Sequence, residues 1–302
     1  MYLQHFGLRE MPFSITPDTS FFFASRSYQE ALNTLLICLR SGEGFLKITG
    51  EVGTGKTLLC RKLMASLAPD KFKVAYVLNP YLEPRSLLML LAGELGISLP
   101  DEVSQHELLN ALTLGLLDSA RANMQVVVCL DEVQAMPIET LEALRLLSNL
   151  ETQKRKLMQV VIFGQPELED KLNHPSIRQL KQRITFECHL DRLTRDELQY
   201  YLNHRLNVAG YKGGGHLFNP GSLRLLYKKT RGIPRLVNIL AHKALLVAYG
   251  KGKYQVDVSE IAAAVADTKS VASSWLPNWR FLTMALLLIG CTAGVALWIL
   301  PR

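Results

Sequence analysis

The sequence predicts an α/β fold in which a parallel five-stranded sheet is followed by a small all-helical lid and one C-terminal apolar helix of membrane-spanning length. Three observations predict it. From residue 44 to residue 190, short apolar runs alternate with helical patterns, as expected for strands buried on both faces. A GxxxxGKS/T loop joins the first of these runs to the helix that follows it. Beyond residue 194 no strand pattern recurs, and residues 281–300 carry no formal charge.

Taken in order, residues 1–24 hold Pro12, Pro17 and three consecutive phenylalanines, Phe21 to Phe23, without clear periodicity. They are expected to form an irregular segment that packs onto another part of the chain. A helix follows over about 26–40, where Ala31, Leu32, Leu35, Leu36 and Leu39 recur at helical spacing, and Ser41, Gly42 and Gly44 break it. Strands are expected at 45–49, 73–78, 126–130, 158–163 and 184–190, with helices between them near 56–67, 84–95, 104–122 and 138–153. Helices near 194–209, 220–230, 234–249 and 257–267 make the lid. The expected domains are therefore 25–192 for the sheet and 193–268 for the lid, with a linker at 269–280.

Composition limits the function classes. The 302 residues are 48% hydrophobic and 20% charged, which supports a real core and excludes a globally disordered chain. The formal net charge of +7 is uneven. Residues 191–302 carry 15 Lys/Arg against 6 Asp/Glu, while residues 1–190 carry 19 against 21. That basic surplus could face nucleic acid, an anionic membrane surface or acidic proteins. Cys38, Cys60, Cys129, Cys188 and Cys291 are scattered without a CxxC pair, so buried reduced thiols are expected rather than a metal or redox site. The opening MYLQHFGLREMPF has no continuous apolar stretch, and no signal peptide is expected.

Gly50, Glu51, Val52, Gly53, Thr54, Gly55, Lys56 and Thr57 match the phosphate-binding loop at every fixed position, with a strand before and a helix after. The glycines let main-chain N–H groups turn inward on phosphates, and the helix N-terminus adds its positive end. Lys56 is expected to reach the terminal phosphates and Thr57 to ligate Mg2+. Residues 126–132, VVVCLDE, bury a strand and deliver two carboxylates at its C-terminal end. Asp131 would hold Mg2+ through water, and Glu132 would orient and deprotonate the attacking water of an ATP hydrolysis. An Asp-Glu pair at a strand end is common by itself, but here it lies about 75 residues after a phosphate loop. No NKxD-type element argues for guanine.

The order of these elements resembles the AAA+ ATPases, which implies three further roles. Gln165, ending the strand VVIFG, stands where the family places a polar γ-phosphate sensor, usually Asn, Ser or Thr; a plain turn is the alternative. Arg183, and second to it Arg178, stand where an arginine of one subunit reaches the ATP of its neighbour in a homo-oligomer. Surface arginine is the alternative for either. Arg235, in Gly232-Ile233-Pro234-Arg235, opens a helix, where a cation is unfavourable unless an anion lies near. A γ-phosphate would be that anion.

A more specific resemblance rests on Tyr2-Leu3, His5-Phe6-Gly7-Leu8, Pro12-Phe13-Ser14 and Thr16-Pro17-Asp18, then on ITGEVGTGKT with Leu59-Cys60-Arg61, LDEVQ, FGQPEL, QRI and GIPR-LVN. Over almost the whole chain to about residue 268, the sequence is similar to the general secretion pathway protein A, or ExeA-like, family of AAA+ ATPases. The resemblance implies an ATPase that helps assemble a type IV pilus of the MSHA type or a type II secretion apparatus, with inner-membrane assembly proteins as partners. Secretion members look like they carry a peptidoglycan-binding domain after a membrane helix, for which no residues are expected here. Other relatives of this core serve DNA transposition, so a DNA-associated ATPase is the competing expectation. A helix-turn-helix or winged-helix module would support it, and none fits between about residue 268 and the apolar segment.

Residues 281–300, FLTMALLLIGCTAGVALWIL, would span ~30 Å as a helix, the hydrocarbon thickness of a bilayer. Trp275, Trp279 and Trp298 flank the segment, as interfacial aromatic belts would. A single-pass inner-membrane protein with its ATPase in the cytoplasm is expected. Gly290 and Gly294 form a small-xxx-small pair that could bring two such helices together, though glycine is frequent in membrane helices generally.

Overall fold

The computed structural model describes residues 2–100, 102–151, 156–213 and 215–268. The five expected strands are present, each within two residues of its expected bounds: β1 Phe45–Gly50, β2 Phe72–Val77, β3 Gln125–Leu130, β4 Met158–Gly164 and β5 Phe186–Leu190. Every pairing is parallel and the order is β2-β3-β4-β1-β5. The strand lying between β1 and β3 in the sheet is therefore β4, while β2 is the far edge.

Alternation along the strands divides the core in two. Val126, Val128, Leu130, Val160 and Ile162 face one side, covered by α4 (Pro84–Glu94), α5 (Gln105–Arg121) and α6 (Ile138–Leu147). Val127, Cys129, Val161 and Phe163 face the other, covered by α2 (Arg26–Ser41) and α3 (Lys56–Ser66). Because both faces are buried, β3 and β4 read as unbroken apolar runs. Helix α2 stops where Gly42 turns left-handed at φ 81°, and α5 starts at a capping box between Ser104 and Glu107. Cys38, Cys60 and Cys129 are buried free thiols and Cys188 is half-buried, while Cys291 lies outside the described residues.

A third core is all helical. It joins α9 (Arg195–Val208), α10 (Pro220–Thr230), α11 (Pro234–Gly250) and α12 (Val258–Ala266), with capping boxes opening α9 and α12. Tyr2, Phe6, Leu8, Phe13 and Phe21 insert into it, so the N-terminal segment packs on the helical unit. That segment is not wholly irregular. It contains α1 (Tyr2–His5) and a 3-10 turn, Thr19–Phe21, both too short to leave a periodic signal. The Tyr2 hydroxyl meets His242 Nδ1 at 3.2 Å, and the His5 ring stacks on Tyr254 at 4.2 Å.

A second difference concerns the helix expected at 138–153, which ends at Leu147. The N–H of Leu157 donates to Leu150 O at 3.0 Å, and Glu151 pairs antiparallel with Lys156. These bonds turn the chain back toward β4 before the apolar periodicity runs out. Two further short helices, α7 (Leu168–Leu172) and α8 (Arg178–Lys181), lie between β4 and β5. The expected linker at 269–280 and apolar span at 281–300 lie outside the described residues. Among the described residues, no helix is long and apolar enough to cross a membrane.

Candidate nucleotide site

The phosphate-loop residues connect β1 to α3 at the C-terminal edge of the sheet. Gly53 and Gly55 hold φ of 81° and 102°, conformations that side chains resist. Space forbids side chains as well. A Cβ on Gly53 would come within 2.7 Å of Arg235 Cβ, and one on Gly55 within 1.7 Å of the Tyr28 hydroxyl. Lys56 is buried, and its Nζ donates to the main-chain carbonyls of Gly50 at 2.8 Å and Glu51 at 3.0 Å. Burial pushes this ammonium below its ordinary range, against the pull of Glu132 and Asp131.

Asp131 follows the last residue of β3 and is 1% exposed. Its Oδ2 accepts the Thr57 hydroxyl at 2.6 Å, which joins the end of β3 to the start of α3. Burial pushes the Asp131 carboxyl up, opposed by the Thr57 hydroxyl and the Glu132 N–H. A buried ammonium held by carbonyls beside a hydroxyl–carboxylate pair fits a polyphosphate with Mg2+, since hard oxygen donors suit that ion. Glu132 adopts φ 53°, accepts from Gln165 Nε2 at 3.0 Å and lines the cleft over the loop.

A family model described as an AAA domain matches residues 39–172, which contain the loop, Asp131, Glu132 and Gln165. The chain is 40% identical over 271 residues to general secretion pathway protein A of Aeromonas hydrophila, covering 90% of this chain and 49% of that protein. The chain is an ExeA-like AAA ATPase. It spans about half the length of the curated relative it matches.

Solved structures share the ATPase's fold at low identity. A Cdc6p from Pyrobaculum aerophilum matches with a TM-score of 0.65 at 19% identity, over 86% of this chain and 74% of that one. A Drosophila ORC chain from a complex with DNA matches with a TM-score of 0.66 at 17% identity, over 88% and 66%.

The remaining residues singled out in the sequence divide into two groups. Arg235 lines the cleft, and its main-chain N–H donates to Gly53 O at 3.1 Å, so the start of α11 seats directly on the loop. Arg183 and Arg178 are elsewhere. Arg183 Nη1 donates to Ser148 Oγ at 3.0 Å, at the end of α6, and neither arginine lines the cleft.

Sequence reasoning missed the rest of the ATPase's cleft, which holds about 310 Å³. Its second wall is a strap of residues 14–18 lying between the two units. Arg61 of α3 holds Pro17 O at 2.9 Å from the sheet side. From the helical side Asn238 Nδ2 holds Ser14 O at 3.1 Å, and Arg205, 5% exposed, donates to Pro12 O and Ser14 O. Tyr28, also missed, donates its hydroxyl to Thr54 O and Gly55 O. Arg61 and Asn238 lie in motifs that carry the family resemblance, but the role of these side chains was not legible, because each works through main-chain carbonyls brought close only by folding.

Proposed function

We propose that this ATPase binds Mg-ATP and hydrolyses it in a homo-oligomer tethered to the inner membrane, where it assists assembly of a type IV pilus or type II secretion apparatus. The observation that carries the chemistry is the 2.6 Å contact between Thr57 and Asp131 beside buried Lys56. Gly50 to Thr57 would cradle the phosphates, and Thr57 and Asp131 would hold Mg2+, which when bound supplies charge neutralisation at the leaving oxygens. Glu132 would take the proton of the attacking water, and Gln165, bonded to it, would sense the γ-phosphate. Arg235 would bring positive charge from α11. Arg183, with Arg178 second, would serve the site of the adjacent subunit, in keeping with its distance from its own cleft.

The process rests on different support. The relative named general secretion pathway protein A is 40% identical over 90% of this chain, and residues 281–300 carry no formal charge. A second reading, a DNA-associated ATPase, is favoured by the basic excess of residues 191–302. Membrane fractionation separates the two. The full chain is expected in the inner-membrane fraction, resistant to salt and carbonate and released by detergent, and truncation near residue 270 should yield a soluble ATPase. Release by high salt together with salt-sensitive binding to duplex DNA would replace the membrane reading with the DNA one.

A further inference from the structure

We infer that Gln134 is a positioning residue that fixes which oxygen of Glu132 is offered to the cleft; this rests on the reading of Glu132 as the base. Glu132 sits in the left-handed region at φ 53°, ψ 37°, a conformation a non-glycine residue keeps only where its surroundings over-determine it. Its main-chain N–H donates to Asp131 Oδ1 at 2.9 Å, and two side-chain amides hold its carboxylate. Gln134 Nε2 donates to Glu132 Oε2 at 2.6 Å, and Gln165 Nε2 donates to the same oxygen at 3.0 Å. Among the described residues no hydrogen bond reaches Oε1, and Glu132 lines the cleft. One oxygen is clamped and the other is free to accept a proton from water.

The orientation of the Gln134 amide follows from its second bond. Its Oε1 accepts the main-chain N–H of Gln165 at 3.0 Å, so its nitrogen must face the carboxylate. Its main chain is pinned as well: Lys171 Nζ of α7 donates to Gln134 O at 2.6 Å and to Met136 O at 2.5 Å. The turn after β3 and the turn after β4 are thus tied to each other through Gln134. Without that side chain, the Glu132 carboxylate keeps one bond, from a residue whose own N–H has lost its acceptor. A carboxylate free to swing by about 1 Å costs on the order of 100-fold in rate.

The test uses Gln134→Leu, which keeps the bulk, and Gln134→Glu, which keeps the shape but donates nothing. Both are expected to lower kcat 10- to 100-fold, with affinity for a fluorescent ATP analogue within twofold of the parent. In the nucleotide-free protein, amide exchange at Gln165 should accelerate in Gln134→Leu, because its N–H loses Oε1. Added to Glu132→Gln, the Gln134→Leu change should slow turnover no further, since the positioned group is already gone. Parental kcat in both variants, with Glu132→Gln reduced to residual turnover, overturns the role of Gln134 alone. Parental kcat in Glu132→Gln overturns the base reading. Loss of nucleotide affinity in step with kcat in both Gln134 variants assigns the residue to folding of the loop and overturns the inference.

Discussion

One wall of the nucleotide cleft is made by strand ends and the other by helices and an N-terminal strap, and different forces hold them. On the sheet wall the phosphate loop, Asp131 and Glu132 follow strands that are buried on both faces, so their positions come from apolar packing across β3, β4 and β1. On the helical wall the decisive contacts are polar. Arg205, Asn238 and Tyr201 form a chain of bonds in which Tyr201 Oη donates to Asn238 Oδ1 at 2.8 Å and Arg205 Nη1 donates to Tyr201 Oη at 3.2 Å. That chain ends on the carbonyls of Pro12 and Ser14. Apolar packing over a large area tolerates no partial state, whereas a few hydrogen bonds can be exchanged one at a time. The candidate catalytic carboxylates sit on the wall set by strand packing, and polar contacts to main-chain carbonyls hold the strap of the other wall over the loop.

The largest expected effects fall on the sheet wall. Lys56→Ala should weaken ATP binding by about 100-fold or more, since a buried cation facing phosphates is lost while the fold keeps its apolar core. Arg183→Ala should bind ATP normally and fail to turn it over. Mixing the two inactive proteins should restore part of the activity, because each supplies the half-site the other lacks. Absence of rescue, with turnover per subunit independent of protein concentration, would confine the whole site to one wall pair of one chain.

On the helical wall Arg205 should dominate. Its guanidinium lies 4.8 Å from the Phe21 ring, and among the described residues it makes no salt bridge. Arg205→Ala leaves Pro12 O without its donor and opens space beside Phe21, at a cost of about 2–4 kcal/mol. Thermal unfolding should show this loss, and calorimetric titration should show ATP affinity falling about tenfold with the wall it anchors. Arg205→Lys should recover little, because an ammonium does not reach both carbonyls in the guanidinium's geometry. An unchanged affinity in a destabilised Arg205→Ala protein would detach the strap from nucleotide binding.

Acid should separate the walls next. Glu260 of α12 is fully buried. Burial alone would raise its pKa, but Lys251, Ser259, the Asp257 N–H and Lys253 outweigh it and hold the carboxyl at about 2, against an ordinary 4.5. The folded value lies below the unfolded one, so the stability it contributes is complete above pH 4.5 and lost as pH falls toward 2. The helical unit is expected to lose about 1–3 kcal/mol over that window, with the Lys partners partly solvated. Glu260→Gln should remove this part of the acid dependence, followed by helical circular dichroism. An identical acid limb in both proteins would place the acid-sensitive group elsewhere.

The same contrast explains what the sequence made legible. The strands were readable because double-sided burial leaves unbroken apolar runs such as Val126 to Leu130. The loop was readable because phosphate binding demands glycines at fixed places. The long helices of the helical unit were readable as helical stretches with no strand pattern among them. Helix α1 was not, since four residues make barely one turn, nor the early end of α6, after which Leu157 and Lys156 pair back onto Leu150 and Glu151, a local pairing that leaves no periodic signal. Gln134 stands in the LDEVQ motif, yet its role, like that of Arg205, was not legible, for a further reason. Much of their bonding runs to backbone atoms, which carry no residue-type signal.

The smallest predicted effect sits where the two walls meet the loop. Tyr28 of α2 is buried, and its hydroxyl bonds Thr54 O at 3.1 Å and also Gly55 O. Leu59 N also donates to Gly55 O, so only Thr54 O depends on the phenol for its hydrogen bond among the described residues. Tyr28→Phe keeps the ring against Phe22, whose centroid lies 5.4 Å away, and removes one donor. The expected cost is about 1 kcal/mol, the worth of one neutral bond to a buried carbonyl. Where that cost appears is informative. The carbonyl of Thr54 and the N–H of Gly55 belong to one peptide plane, so holding the carbonyl outward keeps the N–H turned toward the phosphates. Tyr28→Phe is therefore expected to weaken ATP binding about three- to tenfold while leaving kcat unchanged, since Glu132 and its amides are untouched. If the loss appeared in thermal stability with affinity unaltered, Tyr28 would be one more packing residue of the sheet wall. The loop would then hold its shape through Gly53, Gly55 and the seating of Arg235 alone.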